Sequence, residues 1–589
     1  MAAVRYDAYY TYDELTSLLR EWAEAYPQLC SLESIGTSYE GREIWLVTVT
    51  NTATGPHDEK PAFFVEANIH SVEVTGCSAA LHLLERLVTT YGSDEKVTRA
   101  LDTRAFYVIP RLNPDGAELA LSERPRYVRS SVRKYPLPER EDGLQGEDID
   151  GDGRILTMRL RDPNGNWKPH PDEPTLMVRR DPDEDGGDYY RLLPEGTIQN
   201  YDGVTIKLPP PTESLDLNRN FPGEWGPEAD QTGSGPYPTS EPEIRAMVEA
   251  VVQRPNICGY VAYHTFSGVH LRPYASYPDD HLPTADLRVF KQIGEVATGL
   301  TGYPAVSVFH DFAYDPKQSI KGSAHDFMYD QRGIFSWTTE FWSPIREAGI
   351  TDYKYIDWLR DHPPEDELTL YRWSREKLGG RGYVEWTPYE HPQLGPVEIG
   401  GWDVFYAWYN APFEQLESEV APHTDFAIFH CLISPRLATR SLDVERVGEG
   451  LYRVQLVLEN TGWLPTNVSE LALKRHAVRE LEVELGLPEG ARLVSGERST
   501  KAGQLEGRVH KRSTIWWATN DATNDRAKLE WVVEAPQGGN LAIVARHQRA
   551  GTVRETARLS GGPPDRPGLP QRRESPQTRG LSGALGQLT

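Results

Sequence analysis

The 589-residue chain is short of basic charge: Lys and Arg total 62 against 87 Asp and Glu, a formal net charge of -25. Phosphate binding needs basic surface, so this balance argues against a nucleic-acid partner. It also keeps copies of the chain apart in solution. Long apolar runs are missing too. No stretch of about 18 apolar residues occurs, so nothing is predicted to span a membrane. The start, Met1-Ala-Ala-Val-Arg-Tyr-Asp7, lacks the basic-then-apolar order of a signal peptide. A cytoplasmic location is expected unless a leader was trimmed. Cysteine is scarce: Cys30, Cys77, Cys258 and Cys431 are scattered, mostly inside apolar stretches. They read as reduced core residues rather than cross-links, so the glycosylation pattern Asn467-Val-Ser469 carries little weight.

What is present is a regular alternation of elements in a chain long enough for two or more domains. Thr11-Tyr-Asp-Glu14 is a capping box, followed by Leu15, Leu18, Leu19 and Trp22 at helical spacing. Strands are predicted around Ile44–Val49, Ala62–Val65, Arg104–Pro110, Ile257–Tyr263 and Ile334–Thr339, with a helix from Val74 to about Thr89. Arg104–Pro110 stops at Asn113-Pro-Asp-Gly116, a turn signal. Ser240-Glu-Pro-Glu243 reads as a second capping box opening a helix through Val252. Such alternation implies an α/β fold, a mixed, mostly parallel sheet flanked by helices.

Residues 135–211 break into Pro, Gly and Asp and read as an insertion with structure of its own. Within it, Asp148, Asp150 and Asp152 resemble the first half of an EF-hand loop, but Arg159 stands where the bidentate Glu belongs. A structural Ca2+ at the three aspartates is one expectation; a solvated acidic turn is the other. From Ser434 the pattern changes. Tyr452, Val454, Leu456 and Leu458 alternate with polar residues, and Ile515-Trp-Trp517, Trp531–Val533 and Leu541–Val544 add short strands, suggesting a small all-β sandwich. The expected organisation is a catalytic domain over 1–430, a β-sandwich over 431–560 and a disordered tail over 561–589.

His70-Ser-Val-Glu73 and the distant His264 supply two imidazoles and one carboxylate, a common catalytic zinc set with the fourth position open for water. Alone, a His-x-x-Glu pair is weak evidence, and a surface His near a Glu is the plainer reading. However, His70, His264 and Glu340 all stand at or just beyond the ends of predicted strands, where α/β sheets gather functional groups.

In this order the landmarks resemble a zinc metallocarboxypeptidase of the carboxypeptidase A superfamily. The resemblance runs from Tyr9-Tyr-Thr-Tyr-Asp-Glu14 and Ile35-Gly-Thr-Ser-Tyr-Glu-Gly-Arg42 through His70/Glu73, Asn113-Pro-Asp-Gly116, Asp216-Leu-Asn-Arg-Asn-Phe-Pro222 and His264 to Thr339-Glu340. Glu398-Ile-Gly-Gly-Trp402 is similar to bacterial members that carry a C-terminal β domain.

The resemblance implies zinc on His70, Glu73 and His264, with Asp216 orienting a ligand imidazole. It implies Glu340 as general base, Asn218 and Arg219 as the pair holding a peptide's terminal carboxylate, and Arg129, rather than Arg133, as the oxyanion donor. A planar guanidinium suits a carboxylate because it can meet both oxygens at once. Two departures stand out. The family's substrate-covering tyrosine falls on Gln318, with Tyr314 the nearest tyrosine. The position that reads the terminal side chain falls near His325.

The expected activity is removal of C-terminal amino acids from peptides. Rivals are a cell-wall peptide peptidase or an amide-releasing deacylase on the same scaffold, and a binding protein with a vestigial site that uses its β domain to hold a partner or glycan; Trp516-Trp517 would be a carbohydrate platform there, but core packing is the plainer reading of such residues in a strand. The oligomeric state is not legible.

Overall fold

The computed structural model describes residues 3–137, 139, 141–313, 320–510 and 521–560. Its centre is an eight-stranded sheet built from β1 (Cys30–Thr37), β2 (Glu43–Val49), β3 (Ala62–Ala67), β4 (Ala105–Ile109), β5 (Ile257–Thr265), β6 (Val269–Arg272), β7 (Ala305–Ser307) and β8 (Phe335–Phe341). The spatial order is β1-β2-β4-β3-β5-β8-β6-β7. The central strands β4, β3, β5 and β8 run parallel, while β1, β2 and β6 join by antiparallel pairs. This is the mixed, mostly parallel sheet expected from the alternation.

Every residue of β3, β5 and β8 is buried, as strands covered on both faces require. Because side chains alternate along a strand, Phe63 and Val65 enter one core and Phe64 enters the other. On the first face lie helices α1 (Tyr12–Ala25), α2 (Thr75–Thr89), α3 (Glu95–Thr103), α5 (Thr284–Thr301) and α6 (Phe413–Leu432), with Trp22, Leu84, Leu101, Phe290 and Phe426 in the shared core. On the second, α4 (Pro242–Val252) sets Ile244, Met247 and Val251 against Phe64 and Tyr260. Each such side chain contributes about 1.5–3 kcal/mol by leaving water.

Thr11 caps α1 through the expected box with Glu14. The second box does not form. α4 starts at Pro242, with Glu241 as its N-cap residue and no side-chain cap bond. Proline prefers that first helical position. Glu243 instead accepts the Tyr39 N–H at 2.8 Å, and the Ser240 hydroxyl donates to Glu241.

The 135–211 stretch contributes Thr157–Arg161, Trp167–Pro169, Met177–Arg179 and Tyr190–Pro194 to a six-stranded sheet completed by Tyr383–His391 and Gly395–Trp402. The three aspartates expected to share a calcium ion do not converge. Asp152 turns to Arg154, and Asp148 accepts the Gly151 and Gly153 N–H groups. The carboxylate brought beside Asp148 and Asp150 is Glu195, whose own oxygens accept the Ile149 and Leu156 N–H groups. A cation competes poorly with a guanidinium and with main-chain donors already in place, so this turn gives no support to the calcium expectation.

After α6 come two four-stranded antiparallel sheets that share a core of Val454, Leu456, Trp531 and Ile543. They form the sandwich expected there. The predicted strand at Ile515-Trp-Trp517 and the tail over 561–589 lie outside the described residues. All four cysteines are free and buried. Among the described residues no helix is long and apolar enough to cross a membrane.

Candidate metal centre and active site

The site sits where β3, β5 and β8 end. After β3 the chain turns at Asn68, which takes a left-handed φ of 59°. Its amide holds the turn by donating to the His70 carbonyl at 2.7 Å. His70 and Glu73 follow, and α2 begins directly after them. Gly76, in the first turn of α2, lets that helix approach β5: a Cβ there would lie 2.7 Å from the Tyr263 carbonyl oxygen. His264, the next residue, thus faces the His70–Glu73 turn.

Three ligand-type side chains converge. His70 Nδ1 is 2.8 Å from Glu73 Oε1, His264 Nδ1 is 3.1 Å from Glu73 Oε2, and the two Nδ1 atoms are 3.1 Å apart. All three residues are buried. Two imidazole nitrogens and a carboxylate aimed at one point form an N2O donor set that suits zinc with an open fourth position. The second imidazole nitrogens differ. His70 Nε2 meets Asp216 Oδ1 at 3.1 Å, the outer support a ligand histidine ordinarily has, whereas buried His264 Nε2 has no hydrogen-bond partner among the described residues. The residues therefore fit the metal their types suggest.

The charges around them are interlocked. Burial opposes an ionised Glu73, yet both imidazoles pull it below the usual carboxylate range. Asp216 is likewise held well below that range, against burial, by Arg129, Arg219 and His70. At His264 burial dominates and lowers the pKa. Arg129 Nε donates to Asp216 Oδ2 at 3.0 Å, and Arg129 Nη1 lies 3.4 Å from Glu73 Oε1. The Arg129 loop is tied to the metal turn through the Ser71 N–H, which donates to the Arg129 carbonyl at 3.3 Å. Arg133 is turned away, with two nitrogens on Glu241.

Glu340 stands on β8 directly beside His264 on β5, in register. Burial pushes its pKa well above the carboxylate range and Glu73 adds to this, against the pull of Arg129 and Arg219. Glu73, Arg129, Arg219 and Glu340 line one cleft of about 350 Å³. Arg219 Nη1 lies 3.8 Å from Asp216 Oδ2. Asn218 does not line the cleft; its Oδ1 accepts the Ala324 N–H at 2.8 Å. His325 is buried, with Nδ1 3.1 Å from Thr338 Oγ1, and burial depresses its pKa to about 3. Tyr314 and Gln318 lie outside the described residues.

Tyr409 is among the cleft residues that carry no sequence signal. It comes from the turn after the Gly395–Trp402 strand, more than a hundred residues beyond the ligands, and lines the cleft beside Glu73 and Arg129. No spacing rule connects it to the rest.

The family model described as zinc carboxypeptidase matches residues 15–356, and one described only as a domain of unknown function matches residues 436–558. Carboxypeptidase A1 of Rattus norvegicus is 22% identical over 349 residues, which cover 59% of this chain and 65% of that protein. Carboxypeptidase B of Astacus astacus is 24% identical over 353 residues, covering 58% of this chain and 88% of that protein. The chain thus spans less than two thirds of the length of the carboxypeptidase A1 relative. The solved structure of thrombin activatable fibrinolysis inhibitor aligns at TM-score 0.40 and 17% identity, over 72% of this chain and 77% of that one, a similarity too weak to add to the family match. On the family match over most of its length, the chain belongs to the zinc carboxypeptidase family.

Proposed function

We propose that this protein is a zinc-dependent carboxypeptidase that hydrolyses the last peptide bond of a peptide with a free C-terminus. The observation that carries the reading is the convergence of His70, Glu73 and His264 in a cleft that also holds Glu340, Arg129 and Arg219. When bound to the three ligands, zinc would polarise the scissile carbonyl and acidify water. Arg219, which lines the cleft, takes the terminal carboxylate. Arg129 donates N–H to the oxygen on which negative charge develops. Glu340 takes a proton on a carboxylate oxygen and passes it to the departing amine nitrogen; its raised proton affinity suits the second half of that task. Asp216 keeps His70 oriented and Arg129 in place.

The test is release of free amino acids from blocked dipeptides of varied C-terminal residue. It compares zinc-loaded enzyme, chelator-stripped enzyme and the Glu340→Gln variant. Zinc-dependent release lost in the variant is expected. Zinc-loaded, folded protein that releases nothing from any free-carboxylate substrate would overturn the reading.

A further inference from the structure

Tyr409 reaches the cleft from a segment that the family match, ending at residue 356, does not include. The segment is anchored to the metal turn itself. Asn410 is fully buried and bridges both sides of Glu73. Its Oδ1 accepts the Thr75 N–H at 3.0 Å, and its Nδ2 donates to the Val72 carbonyl at 2.8 Å. The Ala411 N–H donates to Thr75 Oγ1 at 3.2 Å. The turn that carries Tyr409, Val404–Tyr409, is π-helical, a local geometry frequent at functional sites.

On its other side Tyr409 packs edge-on against Phe266, ring centroids 5.7 Å apart and planes at 88°. Phe266 is two residues after the ligand His264. The ring is therefore fixed between the two halves of the metal centre. Its hydroxyl has no hydrogen-bond partner among the described residues, although the ring is half-buried in a cleft lined by ions. The charges acting on the phenol are those of Arg129 and Glu73.

We propose that Tyr409 is a substrate-contacting residue, donating its phenol O–H to a main-chain carbonyl oxygen on the acyl side of the scissile bond. The proposal rests on the carboxypeptidase reading and adds an acyl-side subsite to it. A phenol suits this place because it stays protonated at neutral pH and needs no counter-charge, so it recognises the peptide backbone and leaves side-chain preference open.

The experiment crosses Tyr409→Phe with a pair of substrates. One is benzyloxycarbonyl-glycyl-X, where X is the residue released fastest. The other is 6-phenylhexanoyl-X, a neutral analogue of the same length in which methylenes replace the urethane O–C(O)–NH. The variant should retain zinc and melting temperature. It should lose roughly three- to tenfold in kcat/KM on the carbonyl substrate, the range one neutral hydrogen bond supplies, and nothing on the analogue. The same factor should appear in the dissociation constant of the carbonyl substrate for the Glu340→Gln protein with and without Tyr409→Phe. Equal rates for wild type and variant on both substrates, or an equal loss on both, would overturn the proposal while leaving the carboxypeptidase reading intact. A wild type that neither cleaves nor, as Glu340→Gln, binds the peptide would overturn both.

Discussion

His264 and Glu340 are direct neighbours across two parallel strands, in register. Side chains opposite each other in a parallel pair share a face, so the pairing that builds the sheet also sets a ligand beside the proposed base. A slip of one residue would turn one of them to the opposite core.

Replacing Glu340 by Gln keeps the shape and removes the proton acceptor. kcat should fall on the order of a hundred- to ten-thousandfold with zinc stoichiometry unchanged, as measured by turnover and metal analysis of the same sample. Retained activity would take the base role away from Glu340.

Asp216→Asn should loosen His70 and release Arg129 together, because both lean on its two oxygens. Zinc affinity, read by competition with a chelator, should weaken roughly ten- to a hundredfold. An unchanged affinity would mean that His70 needs no outer partner.

Arg219→Ala tests the terminal-carboxylate contact. A charged hydrogen bond contributes about 1.5–3 kcal/mol, so kcat/KM on free-carboxylate peptides should drop roughly ten- to a hundredfold. C-terminally amidated peptides should be unaffected, and an equal drop on both would place the carboxylate elsewhere.

Gly76→Ala would push a methyl to within 2.7 Å of the Tyr263 carbonyl oxygen, a clash with backbone. Destabilisation of about 1–3 kcal/mol is expected from a melting curve, with weaker zinc binding because His264 is the next residue. A wild-type melting temperature and metal affinity would show that α2 can retreat freely.

Glu243, buried at the start of α4, has its pKa raised to about 7 by burial, with Asp115 and Glu241 nearby adding to it. Unfolded, it titrates near the ordinary value for glutamate, about 4.3. The native state therefore binds the extra proton between these values, and stability falls as pH rises through roughly 4 to 7. Glu243→Gln removes this slope. Relative to wild type it should gain on the order of 3 kcal/mol on going from pH 4 to above 7, read from denaturant unfolding. Parallel pH profiles would show that Glu243 ionises normally.

The central elements were legible because their information is local. Thr11 and Glu14 lie within one helical turn, and the apolar strand around Phe63–Val65 declares itself whatever surrounds it. The Ser240 box failed because Pro242 set the helix start and Tyr39, two hundred residues away, claimed Glu243. The three-aspartate site failed for a similar reason, since Arg154 took Asp152 and the distant Glu195 arrived instead.

By itself the sequence determined the alternation of strands and helices, the residue types of the N2O set and the order of landmarks that mark the family. Those features depend on short-range periodicity and on side-chain chemistry, which a linear chain displays directly. Only the tertiary structure decided which groups meet. It paired His264 with Glu340, turned Arg129 rather than Arg133 toward Asp216, and pinned Asn410 across Glu73 so that Tyr409 enters the cleft. Such contacts join residues tens to hundreds of positions apart, and their cost in chain entropy is offset only by burial of the whole core, which no local pattern records.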